Sequence, residues 1–164
     1  MLTAFLQLLK ETGLRSGEAW NLKWTDIDFE AGAIRVNNPE KYGKPRMLKI
    51  SSRLIAMLNQ LPRENERIFN GSLSIFRRTF RKHRKRMALK LQNPRLNSIS
   101  FHTFRHWRAT IEYHRTKDVL HVMKMLGHRN IKTTLIYTQL VSFEGDEYYS
   151  ATAKTTEEAK KLVE

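Results

Sequence analysis

Between Leu73 and Leu91 the sequence LSIFRRTFRKHRKRMALKL sets a narrow apolar line inside a dense band of positive charge. Phe76, Phe80, Met87 and Leu91 form that line in a helix, while Arg77, Arg78, Arg81, Lys82, Arg84, Lys85 and Arg86 cover the other faces. Such a helix cannot be buried all round, because every unpaired cation would lose its hydration. It must rest on a core along one stripe and turn the remainder outward, toward water or a polyanion. If the partner is a nucleic acid, a run of this kind contacts phosphates rather than reading bases.

The charge around it favours the polyanion. Residues 71–115 hold 12 basic side chains and one acidic one, Glu112, whereas residues 1–70 hold 11 and 8 and residues 116–164 hold 7 of each. The net charge of +14 is therefore a patch built by the middle of the chain, which suits a nucleic-acid backbone. An anionic membrane fits less well, since the basic segment has few aromatic anchors. No apolar run approaches the roughly 18 residues that a span requires, and the first residues do not form a signal peptide. Cysteine is absent, which excludes disulfides and thiolate metal sites and fits a reducing interior. With 164 residues, 40% of them hydrophobic, the expectation is one domain with a real core.

In chain order, Leu2, Phe5, Leu6 and Leu9 predict a helix over 2–11, ended by Thr12-Gly13. Ser16 is a candidate N-cap for a helix with Leu14, Ala19 and Leu22 on one side. After a turn at Glu30-Ala31-Gly32, residues 33–37 and 46–50 alternate as two antiparallel strands, joined by a loop carrying Lys41 and Lys44. Ser51-Ser52 caps a short helix over 53–60 with Leu54, Ile55 and Leu58 inward. Asn93-Pro94 ends the basic helix. Residues 102–115 predict a further helix, and Asp118 caps another that stops at Gly127. Residues 131–140 form a short helix or turn. In the polar tail, Thr155 and Glu158 are spaced as a capping box.

The chemistry-bearing residues cluster late. His102 and Arg105 stand three apart and share a helix face, so both can address one oxygen-rich group. Gly127-His128 and Tyr137 follow. A proton-moving imidazole, an anion-clamping guanidinium and a phenol suggest chemistry on phosphate. The bland alternatives are a DNA-facing basic helix, structural histidines at 102 and 128, and a core aromatic at 137.

GLRSGEAWNLKWTDID, the Lys41 hairpin, FHTFRH, LGH and the IYT tyrosine, in that order, resemble the catalytic domain of tyrosine recombinases, the phage-integrase family. The resemblance covers about residues 2–140. It implies a mainly α (α+β) fold, with a helical core and a small antiparallel sheet carrying the lysine hairpin. It implies site-specific cleavage and rejoining of double-stranded DNA through a 3′-phosphotyrosine, without a cofactor or metal. Arg15 and Arg105 would clamp the phosphate, and Lys41, rather than Lys44, would be the general acid. His102 would help take the tyrosine proton, His128 would hydrogen-bond the phosphate, and Tyr137 would be the nucleophile. Glu18 matches the family's supporting acidic position.

The physics agrees. Two guanidiniums can hold both non-bridging oxygens and stay charged at any working pH. A phenol, with an ordinary pKa of about 10, needs a base or a cationic pocket. The covalent intermediate conserves the bond energy, so rejoining needs no ATP. The family also has an N-terminal DNA-binding domain, so residues 1–140 are expected to be the catalytic piece of a longer protein, acting in the cytoplasm at the nucleoid and assembling as a tetramer on DNA. Residues 141–164 form a tail expected to dock on a neighbouring protomer; it resembles that of archaeal members. Two rivals are a type IB topoisomerase, sharing the same residues, and a catalytically silent DNA-binding module.

Overall fold

The computed structural model describes residues 1–138, so the tail, with the docking role and capping box expected of it, lies outside the described residues. Among the described residues, seven α-helices and a three-stranded sheet are arranged in the order α1 (Leu2–Thr12), α2 (Ser16–Trp20), β1 (Ile27–Asp28), β2 (Ala33–Val36), β3 (Arg46–Lys49), α3 (Ser52–Asn59), α4 (Leu73–Lys90), α5 (Phe101–Thr116), α6 (Val119–Leu126) and α7 (Lys132–Leu135). Short 3-10 turns precede β1 and α5. Among the described residues no helix is long and apolar enough to cross a membrane.

The main core forms around α1. Ala4, Phe5, Leu8 and Leu9 recur on one face and are buried, so α1 lies between α5 on one side and α2 and α3 on others. Phe5 is the hub. Its ring meets Trp20, Phe69, Phe76 and Phe101 edge-on, with centroids 5.7, 5.0, 5.3 and 5.2 Å away. Each such pair adds about 1 kcal/mol beyond its buried area. Gly13 stops the helix in the left-handed region (φ 65°), its N–H bonding the Leu9 carbonyl. The chain is thereby turned so that Arg15 caps α2.

The sheet is antiparallel in the order β1-β2-β3, with Ile34 opposite Leu48 and Val36 opposite Arg46. β1 has only two residues and no alternation of its own, so the sequence predicts two strands where there are three. A smaller cluster of Ala109, Val122, Leu126 and Tyr137 joins α5, α6 and the turn after α7.

Two local expectations are corrected. Ser16 is the first residue of α2 rather than its cap; Arg15 occupies the cap, and the Ser16 hydroxyl accepts from Arg77 Nη2 at 2.8 Å. The inward stripe of α4 runs through Leu73, Phe76, Phe80, Arg84 and Ala88. Met87 and Leu91, expected on that stripe, are 44% and 58% exposed. Steps of four from Phe76 to Ala88 turn the packed line by about 40° each, so it moves on through Arg84 to Ala88, while Met87, seven residues beyond Phe80, stays near the original line and is left outside.

Candidate active site

Glu18 organises the first wall of the site. Its buried carboxylate receives the Arg15 backbone N–H at 2.9 Å, Arg15 Nη1 at 3.1 Å and Arg46 Nη2 at 2.7 Å. Burial alone would raise its pKa, but the hydrogen bond and charge of Arg46, the Arg15 N–H and the Arg105 charge together hold it below the usual carboxylate value. One carboxylate thus fixes two guanidiniums, one from the start of α2 and one from β3. Removing one partner of so buried a pair leaves an uncompensated charge. Arg46 receives no site role from the sequence, where it only begins the second predicted strand; the one hint is that a buried Glu18 would need a cation beyond Arg15.

Arg46 also fixes α6. Its guanidinium passes so close to Gly127 that a Cβ there would lie 2.7 Å from Nη1, and Gly127 itself has φ 69°. The Gly127 carbonyl accepts from the Lys44 backbone N–H at 3.3 Å. Lys44 therefore contributes its main chain here, while its side chain is exposed.

The lysine hairpin sits against α2. Arg15 Nη1 donates to the Glu40 carbonyl at 3.2 Å, and the Glu40 carboxylate lies against Gly17, so that a Cβ there would displace it. The next residues, Lys41 and Tyr42, have φ of 54° and 57°. That left-handed backbone costs a non-glycine residue about 1 kcal/mol. Lys41 is exposed, and its charge is felt at His102.

Among the described residues Arg105 is the most deeply buried cation, 1% exposed. Nη1 donates to the Gly13 carbonyl at 2.8 Å; Nη2 donates to the Leu126 carbonyl at 2.8 Å and lies 2.9 Å from His128 Nε2. Those three contacts engage three of the five N–H groups of a guanidinium. They fix the plane of the group against α1, α6 and the loop after α6. Burial and the nearby Arg15 charge lower its pKa to about 10, partly offset by Glu18, so it stays protonated at neutral pH. Two like charges held near each other by the fold are relieved by an anion bound between them.

Three histidines at the site, 102, 106 and 128, differ in exposure but are all lowered in pKa. His102 is exposed in the first turn of α5, His106 is half-buried, and their rings meet edge-on at 4.4 Å. Burial, then neighbouring His106, Arg105, Arg15 and Lys41, lower the pKa of His102; burial and Arg105 do the same to His106. Both are neutral at pH 7 and able to take a proton. His128, lowered to about 4 by burial and then by Arg105, Arg15 and Arg46, is neutral as well.

Tyr137 is 2% exposed, packed among Ala109, Val122 and Leu126, with its ring 5.5 Å from that of His106. Burial raises its pKa, against the opposing pull of Arg105 and Arg15. His106, given no role from the sequence, meets the rings of both His102 and Tyr137. No local pattern marks it, because contact with residue 137 depends on how α7 folds back.

Beside His102 a cleft of about 380 Å³ runs between α4 and α5, lined by Arg77, Arg81, Arg84, Ser16 and Ser100 among others. Arg77, Arg78, Arg81, Lys82, Lys85 and Arg86 are exposed. Arg84 is not on the exposed face: it is half-buried, and its Nη1 donates to the Ile99 carbonyl. Grouping it with the surface cations is corrected on that ground. Among the described residues no cluster of His, Asp or Glu could hold a metal ion.

The fold is that of recombinase catalytic cores. It matches a crystal structure of XerA recombinase with TM-score 0.70 and 25% identity, covering 91% of this chain and 57% of that one. It likewise matches XerH site-specific recombinase bound to its difH substrate in a pre-cleavage complex, with TM-score 0.68 and 25% identity over 91% of this chain and 46% of that one. The chain belongs to the phage integrase family, whose model matches residues 1–142. Tyrosine recombinase XerA of Saccharolobus solfataricus is 31% identical over 139 residues, which is 83% of this chain and 45% of XerA. The chain thus spans about half the length of the curated relatives it matches.

Proposed function

We propose that this chain carries the catalytic centre of a site-specific DNA recombinase that cleaves and rejoins double-stranded DNA through a 3′-phosphotyrosyl intermediate. The observation that carries the reading is the convergence of Arg15, Arg105, His102 and Tyr137, from α2, α5 and the turn after α7, on one electrostatically coupled site. Arg15 and Arg105 hold the non-bridging oxygens of the scissile phosphate. Tyr137 Oη attacks phosphorus and its proton passes to the neutral His102 imidazole. As the bond to the 5′ oxygen breaks, Lys41 supplies that oxygen with a proton. Rejoining is the reverse, with a 5′ hydroxyl as the attacking group. His128 completes the phosphate pocket, and Glu18 holds Arg15.

The neighbouring backbone phosphates run along the cleft toward Arg77 and Arg81, and the exposed face of α4 supplies further phosphate contacts. Strand exchange between two duplexes needs four cleavages, so the active assembly is a tetramer formed on DNA, in the cytoplasm and at the nucleoid. The test is a nicked suicide duplex bearing the element's attachment site. Incubation and denaturation should yield protein covalently joined to DNA, and Tyr137→Phe should yield none. An adduct that survives Tyr137→Phe, or no adduct from wild type at saturating DNA, sinks the proposal.

A further inference from the structure

Arg105 ends in a guanidinium that can only donate hydrogen bonds. Its Nη2 lies 2.9 Å from His128 Nε2, so that nitrogen carries a lone pair and no proton. A neutral imidazole with Nε2 bare must be protonated on Nδ1. Nδ1 lies 2.8 Å from the hydroxyl oxygen of Thr134, which is therefore the acceptor. Thr134 is 0% exposed and belongs to α7. Its own carbonyl accepts the backbone N–H of Tyr137 at 3.0 Å. One residue thus grips the imidazole with its side chain and the turn of the tyrosine with its main chain.

We propose that Thr134 is a positioning residue for Arg105, acting through His128 and tying the guanidinium to the turn that carries Tyr137. The inference rests on the recombinase reading for its catalytic consequence, but its structural content stands apart from that reading. Without an acceptor at position 134, neither form of His128 is satisfied. The Nδ1–H tautomer leaves a buried donor bare, and the Nε2–H tautomer sets one donor against another on Arg105. The ring then loses its fixed orientation, and with it the plane of the guanidinium. In the sequence Thr134 reads as the second half of an unremarked Thr-Thr pair; only the fold-back of α7 onto α6 gives it a partner.

The test compares wild type, Thr134→Ser, Thr134→Val and Thr134→Ala in the full chain. ¹⁵N imidazole NMR at pH 7, with His128 assigned by loss of its signals in His128→Asn, should show one protonated Nδ1 and one bare Nε2 in wild type and in Thr134→Ser. In Thr134→Val and Thr134→Ala that single-tautomer pattern should average or invert. Single-turnover adduct formation on the suicide duplex should fall about ten- to a hundredfold in both, with DNA affinity within about twofold of wild type, while Thr134→Ser keeps most of the rate. The alanine variant serves if valine crowds the site and unfolds it. An unchanged tautomer pattern and rate in a folded Thr134→Ala overturns the proposal, as does a Thr134→Ser as damaged as Thr134→Val. If wild type forms no adduct, the recombinase reading fails and the tautomer measurement decides the role of Thr134 alone.

Discussion

α4 and α5 flank one cleft and both carry arginines, yet they use them in opposite ways. On α4 the cations stand mostly in water, and the helix turns Leu73, Phe76, Thr79, Phe80, Arg84 and Ala88 toward the protein. On α5 Arg105 is sunk into the fold, with main-chain carbonyls of Gly13 and Leu126 as its acceptors. An exposed cation adds attraction with little position, because long side chains sample many rotamers and salt screens them. A buried one surrenders hydration in exchange for a fixed plane. The first arrangement suits holding a polymer, the second suits aligning a single reacting group.

Replacing Arg105 should break that contrast most severely. Arg105→Ala leaves two buried carbonyls and His128 without their donor, so stability should fall by about 3 kcal/mol. Adduct formation should become undetectable, and Arg105→Lys should not restore it, since an ammonium cannot reproduce the planar fork. Urea denaturation together with the suicide substrate checks both halves. Equal stability in Arg105→Ala would refute the structural assignment.

Glu18→Ala comes next. It strips the counterion from Arg15 and Arg46 together, and a loss of about 3 kcal/mol is expected, measured by thermal or urea unfolding. Glu18→Gln keeps the shape and should lose less, while still slowing cleavage by loosening Arg15.

Acid should weaken the protein through its histidines. The folded pKa of His128 lies near 4, below the ordinary 6.5, so its contribution is fully present above about pH 6.5 and is lost as pH falls toward 4. His102 and His106 are lowered too and add to the same slope. Stability measured between pH 7 and 4 should therefore decline in wild type and decline less steeply in His128→Gln. A parallel pair of curves would show that His128 is not the buried neutral group described here.

The smallest effects belong to α4, and they should divide. Arg84→Ala should cost about 1 kcal/mol through the lost bond to the Ile99 carbonyl. Arg78→Ala or Lys82→Ala should leave stability within about 0.5 kcal/mol. If each contacts a phosphate, each should lower the slope of log affinity against log salt by about one. Salt titrations of DNA binding across the three variants would blur the comparison if Arg84 behaved like its neighbours.

Much of the architecture is legible in the sequence. The spacing of Phe5 and Leu9, the stops at Gly13 and Gly127, and the caps at Ser51 and Asp118 all state local preferences that the helices follow. So did the order of Arg15, Lys41, His102, Arg105, His128 and Tyr137, which is a property of the chain alone. The two-residue strand β1 was not legible, because it is held by its neighbour and has no pattern of its own.

What the sequence by itself determined is therefore the set of helices, the paired strands, the location of the charge and the inventory of reactive groups. Local propensity and periodicity are written within a few residues of where they act. Tertiary structure alone decided that Arg84 turns inward while Met87 faces out, that Arg46 meets Glu18 across 28 positions, and that Arg105 reaches the carbonyl of Gly13 across 92. It also decided that Thr134 closes on His128. Those partners are chosen by the packing of separate elements, where a buried donor must find an acceptor wherever the chain has brought one.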